Sequence, residues 1–209
     1  MCQFLSAVVL KSGKILMDPE HTDSHSDLLR ANNLKDNEQS LLREKFARIE
    51  FVPPEDVSQV INLSKWRLIL DEQRTVSWWD AKKDEVREKL EVEVGKHILS
   101  SGEHDLLLGG WYILAGDVVV QEAKNVNIKL MLDNSQVGEM FGGSQVGEMY
   151  YNSQVETMYD SSQVGAMFDS SQVVEIQDSS QVGAMFDSSQ VGEIWDKATI
   201  CEDKREKQK

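Results

Sequence analysis

The chain has 209 residues and a formal net charge of −14, and the excess is concentrated: Met131 to Asp196 contains eleven Asp and Glu and no Lys, Arg or His. Such a segment repels phosphates, so direct nucleic-acid binding through it is not expected. Two cysteines near opposite ends make no disulfide framework, and no apolar run approaches the roughly 18 residues of a membrane span, so a soluble cytoplasmic protein is expected.

In chain order, Gln3 to Met17 predicts a hairpin, two apolar runs around a Ser-Gly-Lys turn. "DSHSDLLRANN" offers Asp23 or Ser24 as the N-cap of a short helix. "FARIEFV" from Phe46 alternates as a strand and ends at Pro53-Pro54, and "KWRLILD" from Lys65 predicts another. Ser77 and Asp80 form an S-x-x-D capping pattern ahead of a helix whose face carries Trp79, Val86, Leu90, Val94 and Ile98. Strand-like runs follow at "LLLGGWYIL" and "DVVVQEAKNVNIKLML", with Val126, Ile128 and Leu130 expected to cap one end of what comes next. Trp195 and the charged segment after it are expected to cover the other end.

What comes next is a strict nonapeptide repeat, with glutamines at Gln136, Gln145, Gln154, Gln163, Gln172, Gln181 and Gln190. Each copy reads roughly S-Q-V-G-x-M-aromatic-D-S. A Val column and a Met/Ile column never slip, which a solvated tail has no reason to maintain. Nine is a poor multiple of 3.6, and Gly, Ser and Asp are weak helix formers. The pattern therefore predicts stacked parallel strands, with about two repeats and about 18 residues per coil. Ser162, Val164 and Met167 are expected to point inward, with a turn at Gly165. The fold class is an α+β N-terminal domain followed by a parallel β-solenoid. Expected boundaries are 1–110 for the first domain, 111–133 for transition and cap strands, 134–196 for the solenoid and 197–209 for a charged tail.

The period of nine resembles calcium-binding nonapeptide β-rolls, though their glycine-rich G-G-x-G-x-D signature is absent. Ice-nucleation solenoids are similar in their stacked S-x-V/T units but use a different period. The "SQVGxM" array behind a small domain carrying "DSHSDLLRANNL", "FARIEFVPP" and "QRTVSWWD" resembles a group of phage and bacterial proteins. That resemblance implies an origin on a mobile genetic element and assigns no reaction.

Candidate chemistry is sparse. Loss of Met1 would leave Cys2 with a free amine beside its thiol, the equipment of an N-terminal nucleophile. "MCQF" is similar to the opening of amidotransferases and of proteins that trap abasic DNA, but Gln3 stands where those have Gly. His21, His25, Asp23 and Asp27 could supply imidazole and carboxylate ligands, with His97 or His104 completing a site, although capping competes for the same residues. The column Asp160, Asp169, Asp178, Asp187 and Asp196 could hold Ca²⁺ or serve only to keep a sticky stack soluble. No cofactor is implied.

The remaining signal is an acidic surface with aromatic side chains, which protein interfaces use. Candidate partner-binding residues are Asp160, Asp169, Asp178, Asp187, Glu139, Glu148, Glu175, Glu193, Phe141, Tyr150, Tyr159, Phe168, Phe186 and Trp195. The sequence thus predicts a non-enzymatic binding protein of phage type that engages a protein partner in the host cytoplasm. A basic nucleic-acid-binding cleft, as on a host defence protein or CRISPR effector, is one candidate target, and self-association is another use of the solenoid. The alternative is an enzyme using Cys2, with the solenoid as scaffold.

Overall fold

The computed structural model describes residues 5–18, 24–35, 44–71 and 76–205. Cys2, His21 and Asp23 lie outside the described residues. The chain divides into two compact units, Met1–Lys96 and His97–Lys209.

The first unit is a four-stranded antiparallel sheet, made of β1 (Leu5–Leu10), β2 (Ile15–Leu16), β3 (Phe46–Val52) and β4 (Arg67–Leu70), with strand order β2-β1-β3-β4. The hairpin turn needs Gly13, whose φ is 87°. Helix α1 (His25–Ala31) is capped by Ser24, which accepts the Asp27 amide. Its Leu28 and Leu29 pack with Val8, Leu16 and Phe46. Helix α2 (Lys83–Gly95) buries Val86, Leu90 and Val94.

The S-x-x-D pattern does not cap this helix. Lys82 is the N-cap and makes no side-chain capping bond, its ammonium pairing instead with Glu85 at 3.3 Å, while Asp80 pairs with Lys83 at 3.1 Å. Ser77 instead donates its amide and hydroxyl to the Glu44 carboxylate. Trp79 and Ile98, expected on the helix, lie before and after it. Arg87 anchors α2 by donating to the carbonyls of Leu63, Ser64 and Trp66 at 3.2, 3.1 and 2.9 Å.

The second unit is a parallel β-solenoid of about six turns. Its opening strands are β5 (Ile98–Leu99), β6 (Glu103–Leu108), β7 (Trp111–Leu114), β8 (Val119–Lys124) and β9 (Asn127–Met131). The repeats supply β10 (Gln136–Phe141), β11 (Gln145–Met149), β12 (Gln154–Met158), β13 (Gln163–Met167), β14 (Gln172–Ile176), β15 (Gln181–Met185) and β16 (Gln190–Ile194), and β17 (Thr199–Asp203) follows. Even strands from β6 to β16 build a six-stranded sheet, and odd strands from β5 to β17 a seven-stranded one. Register is exact through the repeats, where Gln136 pairs with Gln154, Val137 with Val155 and Met140 with Met158, and shifts once, between Tyr112 and Ile113 where β7 meets β9. Two repeats therefore make one coil, as the period predicts.

Three side chains per repeat face the interior. Ser162, Val164 and Met167 are all buried, and the Val and Met/Ile columns from Val137 to Met185 form one continuous apolar core between the two sheets. Strands that lack the repeat occupy the same columns: Val120 aligns with Val137, Ala123 with Met140, Ile128 with Val146 and Met131 with Met149. The ladder consequently starts at Ile98, ahead of the boundaries expected at 110 and 133. Val126 and Ile128 are interior rungs rather than a cover for the end, since β5 and β7 lie beyond them in the same sheet. The ladder also continues past 196 into β17, where a charged tail was expected.

The turn is not at Gly165. That residue lies within β13, and a Cβ there would meet the Gly147 carbonyl oxygen at 2.5 Å; at Gly183 it would meet the Gly165 oxygen at 2.3 Å. Glycine is thus required by close rung-to-rung approach rather than by a bend. The same column holds Glu156 and Val174 on the six-stranded sheet and Lys129 and Cys201 on the seven-stranded one, while Gly192 is approached as closely as Gly183, its Cβ position lying 2.4 Å from the Val174 carbonyl oxygen, so the constraint acts at particular rungs of both sheets. Gly183→Val should therefore destabilise the protein by about 1–3 kcal/mol in urea unfolding, whereas Val174→Gly, at a position 44% exposed, should cost well under that.

Candidate functional site

The turns explain the aspartates. Asp160, Asp169, Asp178, Asp187 and Asp196 all adopt positive φ, between 53° and 60°. Asp is one of the few non-glycine residues that tolerates this region. The turns at Asp160, Asp169, Asp178 and Asp187 are closed by the serine two residues on, as where the Ser162 amide donates to the Tyr159 carbonyl at 3.1 Å and its hydroxyl donates to the same oxygen at 2.7 Å, while at Asp196 the Ala198 amide does this alone. The carboxylate then reaches one coil back. Asp160 accepts the Gly142 amide at 2.8 Å, Asp169 the Tyr151 amide at 3.0 Å, Asp178 the Asp160 amide at 3.0 Å and Asp187 the Asp169 amide at 3.3 Å. Asp133 does the same for Gly116 at 3.0 Å.

These acids form two columns, one on each edge of the solenoid, and Asp133, Asp160, Asp169, Asp178 and Asp187 are committed to backbone amides. Among the described residues no group of three or more His, Cys, Asp or Glu is placed to hold a metal ion. The aspartate columns are turn residues first, and only their remaining oxygens face solvent. Asp169→Ala should cost about 1–3 kcal/mol in thermal unfolding, from lost left-handed tolerance and a lost charge-assisted hydrogen bond. Asp169→Asn, which keeps both features in weaker form, should cost less.

The glutamates are different. On the outer face of the six-stranded sheet Glu122, Glu139, Thr157, Glu175 and Glu193 stand in register on successive rungs. Glu156, in the neighbouring column, is exposed on the same sheet. Among the described residues none of these five acids forms an ion pair, although Glu175 accepts a hydrogen bond from Gln177 at 2.7 Å. Glu148 lies on the opposite sheet and accepts the Tyr150 hydroxyl at 2.9 Å. The sequence-derived set is therefore split: Glu139, Glu175 and Glu193 share a face, Glu148 is apart from them, and the aspartates line the edges. Glu122 and Glu156 complete the acidic face and were missed. Glu122 precedes the repeats, and Glu156 replaces the repeat's glycine.

The aromatic column alternates between the two edges. Tyr150 stacks on Phe168 at 4.7 Å and Phe168 on Phe186 at 4.8 Å, with interplanar angles of 9° and 7°. On the other edge Phe141 stacks on Tyr159 at 5.0 Å, and Gln177 then interrupts the run before Trp195. The rings lie at corners, partly buried, with their faces covered by one another. Trp195 alone among them is open, at 52% exposure. The ladders are chiefly corner packing, which leaves ring edges rather than ring faces for a partner.

Burial, followed by the hydrogen bond to Glu148 and that residue's charge, pushes the Tyr150 phenol above the ordinary tyrosine range. A raised folded value means stability that is intact below the ordinary value near ~10 and lost as pH rises through the higher folded one. Between those limits the parent should lose melting temperature with pH more steeply than Tyr150→Phe, provided the variant is compared at matched salt.

The histidines are structural as well. His25 places Nε2 2.9 Å from the Ile49 carbonyl oxygen and Nδ1 3.3 Å from the Asp71 carboxylate, linking α1 to the sheet. His97 stacks on Trp111 at 4.5 Å with Nδ1 2.8 Å from its carbonyl oxygen. His104 aligns with Val120 at the start of the Val column. Asp27 pairs with Arg30 at 3.2 Å. No helix among the described residues is long and apolar enough to cross a membrane. Comparison of the chain with protein-family models, with curated proteins and with solved structures finds no match.

Proposed function

We propose that the protein is a non-enzymatic binding module that offers the outer face of its six-stranded sheet to a basic protein surface. The observation that carries this reading is the glutamate column itself. Successive rungs lie about 4.8 Å apart, and two like charges at that spacing repel by about 1 kcal/mol even in water. Glu122 with Glu139, and Glu175 with Glu193, are such neighbours, and among the described residues none of the four is in an ion pair. A row of lysines or arginines on a partner would. The rigid ladder supplies the acids already ordered, so little side-chain scaffold is organised on binding.

The acids run in straight columns, whereas duplex phosphates follow two helical strands. Capture is therefore electrostatic and does not imitate a duplex faithfully. A basic nucleic-acid-binding cleft, including that of a host defence or CRISPR effector, is a fitting class of target if the chain comes from a mobile element, as its repeat array suggests. The competing reading, an enzyme built on Cys2, uses none of this surface.

The test is capture of proteins from a host lysate on the immobilised chain. Basic partners should be retained at low salt and released at about 1 M, where screening shortens to roughly 3 Å. Changing Glu139, Glu156, Glu175 and Glu193 together to Gln should abolish capture, and Glu148→Gln should leave it intact. Capture that survives the fourfold change, or a phenotype lost with Cys2→Ser alone, overturns the proposal.

A further inference from the structure

The last rung breaks the repeat in a systematic way. In β15 and its turn the inward, corner and turn columns are occupied by Met185, Phe186 and Asp187. One coil later the same columns hold Asp203, Lys204 and Arg205, with Asp203 in register with Met185 and the Lys204 amide donating to the Met185 carbonyl at 2.9 Å. The backbone still follows the ladder, while all three side chains change character. An apolar core residue becomes an acid, an aromatic becomes a base, and an acid becomes a base.

Each replacement is held in place. Arg205 forms a two-pronged ion pair with Asp203, Nε to one oxygen at 2.8 Å and Nη2 to the other at 2.7 Å. Its Nη1 reaches back to the Ser189 carbonyl at 3.2 Å. Lys204 puts its ammonium 5.5 Å from the centre of the Phe186 ring, ending that aromatic stack with a cation, and pairs with Glu202 at 2.6 Å. Further down the same ladder β11 and β13 each offer their successor a Met for the core, a ring to stack on and an amide for the next Asp. The Asp203–Arg205 rung offers a charged pair, an ammonium and a guanidinium.

A parallel stack with identical columns is a template for another strand, and an uncovered edge invites a second chain. We infer that Asp203, Lys204 and Arg205 form a terminator that prevents a second copy of this chain from extending the seven-stranded sheet. Seating another strand there would bury the Asp203–Arg205 pair beneath apolar side chains, and desolvating such a pair is costly.

The experiment restores the repeat by changing Asp203→Met, Lys204→Phe and Arg205→Asp in the full chain. Mass is followed by light scattering during gel filtration over an about 100-fold range of concentration, where mass action separates association from a fixed size. The restored chain should at least double its mass relative to the parent at the upper end, reversibly on dilution, with its β circular dichroism retained. An unchanged mass with an intact spectrum overturns the inference. So does a lowered melting temperature at unchanged mass, which would mean that the three residues only seal the core. Should the triple change precipitate, Arg205→Ser decides by the same criteria: it removes the lid on Asp203 and should raise the mass of the soluble protein partway.

Discussion

Everything in the repeats of the second unit follows from one constraint: parallel strands stacked in register place like side chains over like from rung to rung. Register gives continuous backbone hydrogen bonding between coils, and it also asks the inward columns for small or apolar side chains at nearly every rung. The interior between the two sheets is narrow, so only three positions per repeat face it, a small Ser at one end of the strand, a β-branched Val in the middle and a flexible Met or Ile near the corner. Val stacks well on a pleated surface, and Met fills what space remains. Because few residues per coil are buried, the ladder hydrogen bonds and the corners carry much of the burden of holding the coils together.

That constraint sorts the negative charge into two populations that composition alone merges. Aspartate appears where the chain turns, since the turn requires a left-handed residue and the carboxylate satisfies an amide one coil back. Glutamate appears on the outer sheet face, where the fold asks nothing of it. The first population would be present in a solenoid with no partner at all. The second costs the protein repulsion along the column for little structural return beyond the Gln177–Glu175 hydrogen bond, and it is the part of the acidity that calls for a functional account. The aromatic column resolves in the same way, with rings that face one another along each edge and contribute to corner packing.

The solenoid was legible in the sequence because its period leaves no other regular structure, and the inward Ser, Val and Met positions could be read directly from the columns that never vary. Its extent was not. Leu114, Val120, Ala123, Ile128 and Met131 occupy the same columns but sit among lysines and irregular turns, so the repeat was invisible there while its geometry persisted. Gly165 was misread as a turn because glycine serves both for bends and for close backbone approach, and sequence does not distinguish the two. Ser77 and Asp80 have the spacing of a cap, yet Ser77 is held by Glu44, a contact 33 residues distant that no local pattern could reveal. The split of Glu139 from Glu148 required knowing that successive repeats fall on opposite sheets.

The claim that supports the rest is a continuous hydrogen-bonded ladder from β6 to β17, and amide hydrogen exchange on the intact chain measures it directly. Amides in β10 to β15 should be strongly and uniformly protected, with protection falling at β16, where Ile194 is 48% exposed. Rapid exchange throughout residues 136–203 would contradict the ladder and, with it, the ordered acidic face.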